Sequence, residues 1–153
     1  ATHRHPGRNI LIVDCGTATT FDVITATGEY LGGAILPGVG VSLDTLASHT
    51  AKLPRVEAAR PASALGRSTL ESIQSGVYHG QVGAIRQLLT LLAREAFAGE
   101  SAMVIGTGGH AWLFEAEGLF DEIAPELVLE GLRHAEKLNR DTEGRTAGQS
   151  NAS

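Results

Sequence analysis

The stretch NILIVDCGTATTFD, Asn9 to Asp22, decides how the chain folds. From Asn9 to Val13 it is an apolar run rich in β-branched residues, which suits a strand buried on both faces of a sheet. The run stops at Asp14, and Gly16 permits a tight turn. Thr17, Thr19 and Thr20 follow with small Ala18 between them, and Phe21, Val23 and Ile24 resume an apolar strand. Such a hairpin aims hydroxyls, main-chain N–H groups and one carboxylate at a single spot. A phosphate needs convergent donors and close backbone approach, which small residues allow. The carboxylate would repel that phosphate unless a cation sits between them. The stretch therefore reads as a phosphate-and-cation turn. A Thr-rich β-turn with Asp14 as its cap has the same residues and stays open as the alternative. A P-loop is excluded, because no Gly-Lys-Ser/Thr follows and no helix opens directly after the turn.

Working outward, 153 residues with 42% hydrophobic content can bury one compact core. A formal charge of −5 argues against a nucleic-acid or membrane-surface partner. No stretch approaches a membrane-spanning length, and no signal-peptide core is visible. The single cysteine, Cys15, excludes an internal disulfide framework and fits a reducing cytoplasm. With no base beside it, Cys15 reads as a small buried thiol rather than a nucleophile. The six histidines show no zinc-site spacing.

After the hairpin, Tyr30 and Leu31 lead a third strand through Gly32-Gly33 to Pro37-Gly38. Paired glycines inside a strand mark a close approach of backbone or ligand, at an interface or a pocket, or a plain strand end. Val41 to Ala51 reads as a helix, and Arg55 to Ala64 as an irregular connection. Ser68 or Thr69 can cap the next helix, which carries apolar residues at helical spacing from Ile73 to Phe97. Gly76, Gly80 and Gly83 each cost about 1 kcal/mol inside a helix, so their shared side predicts another helix or backbone packed there. Ser101 to Ile105 reads as a buried strand ending in Thr107-Gly108-Gly109, with a helix opening over His110 to Ala116. Such a strand-to-helix turn can face a nucleotide. Phe120 to Val128 returns to the sheet edge, and Leu129 to Asn139 forms a last helix using Leu132 and Leu138. Asp141 to Ser153 is polar and reads as disordered. The expected organisation is a leader over 1–8, one domain over 9–140 and a tail over 141–153.

Three strands, two helices, strand, helix, strand, helix is the order of a ribonuclease H-like domain of the actin, sugar-kinase and heat-shock-protein superfamily. That implies an α/β fold with a mixed sheet flanked by helices. Within that class the chain resembles the C-terminal half of the type III pantothenate kinases. The resemblance rests on DCGTATTFD at Asp14 to Asp22, GGAILPG at Gly32 to Gly38, AKLP at Ala51 to Pro54 and GRST at Gly66 to Thr69. SIQSG at Ser72 to Gly76, TGG at Thr107 to Gly109 and ELVLEGL at Glu126 to Leu132 complete it. It implies phosphorylation of pantothenate by ATP, the first step of coenzyme A biosynthesis, in the cytoplasm. By resemblance Asp14 holds a monovalent cation, K+ or NH4+, and Thr17 contacts ATP phosphates within Gly16 to Thr20, with Mg2+ accompanying the ATP. Thr107, Gly108 and Gly109 are similar to the family's adenosine motif. Thr69, with Gly66, is similar to its pantothenate contact. Gly32 to Gly38 resembles its dimer-interface motif, which implies a homodimer.

The family's first phosphate motif, D-x-G-N-T, and its G-A-D-R segment with the catalytic base are absent here. The expectation is therefore a fragment that carries no catalytic residue of its own and is inactive alone. Two other readings remain: a non-catalytic nucleotide- or partner-binding module of the same fold, and an actin-fold phosphotransferase or phosphatase for another small molecule.

Overall fold

A computed structural model describes the backbone of residues 1–50 and 52–149, with side chains as far as 137 and at Arg140. Strands β1 (Asn9–Cys15), β2 (Ala18–Ile24) and β3 (Tyr30–Pro37) form a meander. Helices α1 (Val39–His49) and α2 (Thr69–Phe97) follow, then β4 (Ala102–Thr107), a 3-10 helix (Ala111–Glu117), β5 (Glu122–Ile123) and α3 (Leu127–Gln149). The five strands make one sheet in the order β3-β2-β1-β4-β5. The β1–β2 and β2–β3 pairs are antiparallel, while β4 runs parallel to both β1 and β5. This is an α/β fold with a mixed sheet.

The period of two along β1 divides its side chains between two cores. Leu11, Val13 and Cys15 face α2 together with Phe21 and Val23 of β2. α2 meets them with Ile73, Tyr78, Val82, Ile85 and Leu89, and α1 adds Val39 and Leu43. Each fully buried large side chain contributes about 1.5–3 kcal/mol, so this layer dominates the stability. On the opposite face Ile10 and Ile105 meet Ala124 and Leu127, at the start of α3. That second cover does not reach β3, where Ile35 is 78% and Tyr30 62% exposed.

Several elements differ from the sequence reading. α1 starts two residues before Val41 because Gly38 is extended and serves as its N-cap; Ala51 lies outside the described residues. The helix after Thr107-Gly108-Gly109 is 3-10, and its Trp112 is 60% exposed while Phe114 is buried. The return to the sheet edge narrows to Glu122–Ile123. Gly76, Gly80 and Gly83 face open space, with nothing within 4 Å of a Cβ at any of them. The packing partner expected there is not supplied by the described residues. α3 continues past Asn139 to Gln149, over residues 141–149 that lack an apolar stripe. Leu132 is exposed rather than packed; the Leu138 side chain and residues 150–153 lie outside the described part.

Candidate nucleotide and cation site

Three turns meet at the C-terminal end of β1. The first is the expected one, Asp14 to Ala18, closed by a hydrogen bond from Gly16 N–H to Ala18 O at 3.0 Å. The second is the β3–α1 turn, where Gly38 N–H donates to Thr17 O at 3.0 Å. The third follows β4: His110 N–H donates to Cys15 O at 2.9 Å. These bonds hold the turns so closely that glycine is obligatory at two of them. A Cβ on Gly38 would lie 2.4 Å from Gly16 O and 2.5 Å from Thr17 O. One on Gly108 would lie 2.3 Å from Asp14 Oδ1 and 2.7 Å from Cys15 C, and Gly108 also has φ +85°.

The Asp14 carboxyl is thus walled by the Gly108 main chain. Burial, and then the neighbouring charge of Asp22, raises its pKa above the ordinary carboxylate range. A cation beside it would offset both effects. A carboxylate is a hard oxygen donor, suited to a group 1 or group 2 cation rather than to a soft metal. Cys15 faces the other way: it is buried, and burial pushes its thiol to about 12, so it is inert as a nucleophile.

The structure brings Asp14, Gly16, Thr17, Gly108 and Gly109 to one place and sorts the remaining candidates. Thr17 is exposed at the turn, and Ala18 and Thr20 are half-buried. Thr19 is buried, its hydroxyl donating to Gln81 Oε1 at 3.4 Å. Thr107 is buried, its hydroxyl donating to Ala124 O at 2.7 Å. Their side chains therefore build the site rather than face it. Gln81 also donates to Pro37 O at 2.8 Å, so one α2 side chain fastens the ends of β2 and β3. Sequence reading missed Gln81 and His110. The only sign of Gln81 was a polar residue one turn from Tyr78 and Ile85 in the apolar stripe.

Thr69 belongs to a different place. It lines an open cavity of about 470 Å³ with Leu46, Leu53, Ser72, Ile73, Gly76 and Val77. Of the two possible caps, Ser68 is the one used: its Oγ accepts from Glu71 N–H at 3.2 Å. Glu71 Oε2 in turn accepts from Arg67 N–H at 2.7 Å. The Thr69 hydroxyl is left to the cavity. Gly66 presses on the same helical turn, since a Cβ there would lie 2.4 Å from Ser72 N. Ser68→Ala should accordingly cost about 1 kcal/mol in chemical denaturation, and Thr69→Ala much less. Equal losses would mean that Thr69 is structural.

The family model for type III pantothenate kinase matches residues 1–91. The chain is 51% identical over 139 residues to a type III pantothenate kinase of Legionella pneumophila, covering 91% of this chain and 54% of the relative. It is 45% identical to type III pantothenate kinase 1 of Francisella tularensis, covering 88% and 53%, and 44% identical to the Dehalococcoides mccartyi enzyme, covering 89% and 51%. The chain spans about half the length of these curated relatives. A crystal structure from Campylobacter jejuni, described in terms of the Baf family of transcriptional activators, superposes with TM-score 0.61. At 22% identity, covering 88% of this chain and 60% of that one, it bears on the fold alone. With a family-model match over more than half its length, and relatives of that identity along most of the rest, this chain belongs to the type III pantothenate kinase family.

Proposed function

We propose that the chain is the nucleotide-binding half of an ATP-dependent pantothenate kinase acting at the start of coenzyme A biosynthesis in the cytoplasm. The observation that carries this reading is the glycine-walled convergence of three turns on Asp14. The strand order 3-2-1-4-5 supports a ribonuclease H-like assignment. In this reading the Gly16 to Thr20 turn receives ATP phosphates, with the exposed Thr17 hydroxyl donating to one of them. Thr107, Gly108 and Gly109 line the adenosine side through main chain. Asp14 ligates K+ or NH4+, and when bound that cation, with Mg2+, neutralises charge on the transferring phosphoryl group. Thr69 donates to pantothenate, and Gly66 shapes the turn beneath it.

The exposed Ile35 and Tyr30 on edge strand β3 lie within and beside Gly32 to Gly38, which supports that segment as the contact of a homodimer. The formal charge of −5 argues against a nucleic-acid or membrane-surface partner in this reading.

In this reading no side chain of this chain serves as general base for the pantothenate hydroxyl. Loss of such a base removes about 10²- to 10⁴-fold in rate. A coupled ADP-release assay on this chain with ATP and pantothenate should therefore be flat, while calorimetry with ADP, Mg2+ and K+ should show saturable binding. Turnover like that of an intact kinase would overturn the half-enzyme reading, and absence of ADP binding would overturn the nucleotide site.

A further inference from the structure

Trp112 is 60% exposed, while Ala111, Leu113 and Phe114 around it are buried in the main core. A single wet apolar side chain is ordinary on a protein surface. This one, however, is fixed at both ends. Its buried neighbours hold the backbone, and its indole Nε1–H donates to Gly109 O at 2.9 Å. Among the described residues the ring pairs are His3 with His134, Tyr78 with His79 and Tyr78 with Phe114, and none involves the indole. An oriented aromatic ring is therefore presented to solvent without an aromatic partner among those residues.

The turn that holds the ring is the third turn of the nucleotide site. A Cβ on Gly108 would meet Asp14 and Cys15, and His110 N–H donates to Cys15 O. The main chain is thus clamped to the phosphate turn on either side of Gly109. Gly109 itself is exposed, and no protein atom lies within 4 Å of a Cβ built on it. Open space adjoins the very residue to which the indole is tied.

We propose that Trp112 is the stacking platform for the nucleotide base, a binding residue outside the motifs of the site. This rests on the nucleotide reading of Gly16 to Thr20 and Thr107 to Gly109. Main-chain groups at a glycine turn can meet the edge of a base, but its flat faces need an aromatic or aliphatic surface. Every base has a π-face, so an indole adds affinity for a nucleotide over its phosphates alone, without choosing among bases.

The chain has one tryptophan, so its emission reports this ring alone. The test titrates the full chain, with K+ and Mg2+ present, with ADP and separately with inorganic pyrophosphate, by calorimetry and tryptophan fluorescence together. ADP should change the emission along the calorimetric curve, and pyrophosphate should change it far less. Trp112→Ala should weaken ADP binding roughly 5- to 150-fold, the range for one stacked base, and leave pyrophosphate binding and the melting temperature nearly unchanged. Trp112→Phe removes the Nε1–H and keeps a ring, so it should retain most of the ADP affinity. Where Trp112→Ala does not fold, Trp112→Leu takes its place with the same expectation. The proposal is overturned if ADP binds without moving the emission, or if Trp112→Ala leaves ADP affinity intact. It is equally overturned if Trp112→Phe loses as much as Trp112→Ala, or if pyrophosphate binding falls as far as ADP binding, since the indole would then only fasten the turn. If calorimetry shows no ADP binding to the wild type, the nucleotide reading fails and the stacking falls with it.

Discussion

Gly33→Ala should unfold the chain at temperatures where the wild type is intact, with a loss of roughly 3 kcal/mol or more. A Cβ at Gly33 would lie 1.5 Å from Phe21 O and 2.7 Å from Phe21 C. Those are main-chain atoms of the paired strand, so no rotamer change relieves the clash. Nor can β2 retreat, because Phe21 is buried in the main core. The ladder beside it already shifts register between Val23 and Ile24, opposite Gly32 and Tyr30. Gly32→Ala is the control. Nothing lies within 4 Å of its Cβ, and only the strain of φ +115° remains, about 1–3 kcal/mol. Urea melts of both variants check the order. A Gly33→Ala loss no larger than that of Gly32→Ala would mean that β2 and β3 do not approach this closely.

Gly108→Ala should damage both stability and ligand binding. Its Cβ would displace the Asp14 carboxylate and the Cys15 main chain, and φ +85° adds strain of about 1–3 kcal/mol. ADP affinity in the presence of K+ should fall by roughly tenfold or more, about 1.4 kcal/mol. Gly109→Ala, with no protein atom within 4 Å of its Cβ, should leave stability unchanged. A Gly108→Ala chain that melts lower but binds ADP normally would make the Asp14 cradle purely structural.

The neighbouring positions show what a sequence can and cannot disclose. The Asn9 to Asp22 hairpin was legible because its signals are local: an apolar run, a stop at Asp14 and an apolar return. The close approach at Gly32-Gly33 was legible as a need, while the partner, Phe21 O, was not. The glycines of α2 announced a cost but not a destination, and within the described residues they meet open space. Gln81 and His110 escaped notice because their contacts, Thr19 and Cys15, lie 62 and 95 residues away in the chain. Thr19 and Thr107 looked like ligand contacts because hydroxyls by a turn look alike until burial is known. α3 was cut short because its distal part has no apolar periodicity, which is the signal that sequence reading follows.

The central claim is that Asp14 and Thr17 form a cation-dependent phosphate site, and one paired measurement tests it. Melting curves and ADP titrations, with and without K+, are recorded for wild type, Asp14→Asn and Thr17→Val. Folding raises the Asp14 pKa, so the folded chain holds that proton more tightly than the unfolded one. The ionised group therefore opposes stability at neutral pH. Asp14→Asn should then melt at or above the wild-type temperature while losing the K+ dependence of ADP binding. Thr17→Val should keep its melting point and weaken ADP binding by about 1–3 kcal/mol. If instead both variants lose about 0.5–2 kcal/mol of stability, the size of a lost cap, and bind ADP with unchanged K+ dependence, the residues only shape the turn and the account is wrong.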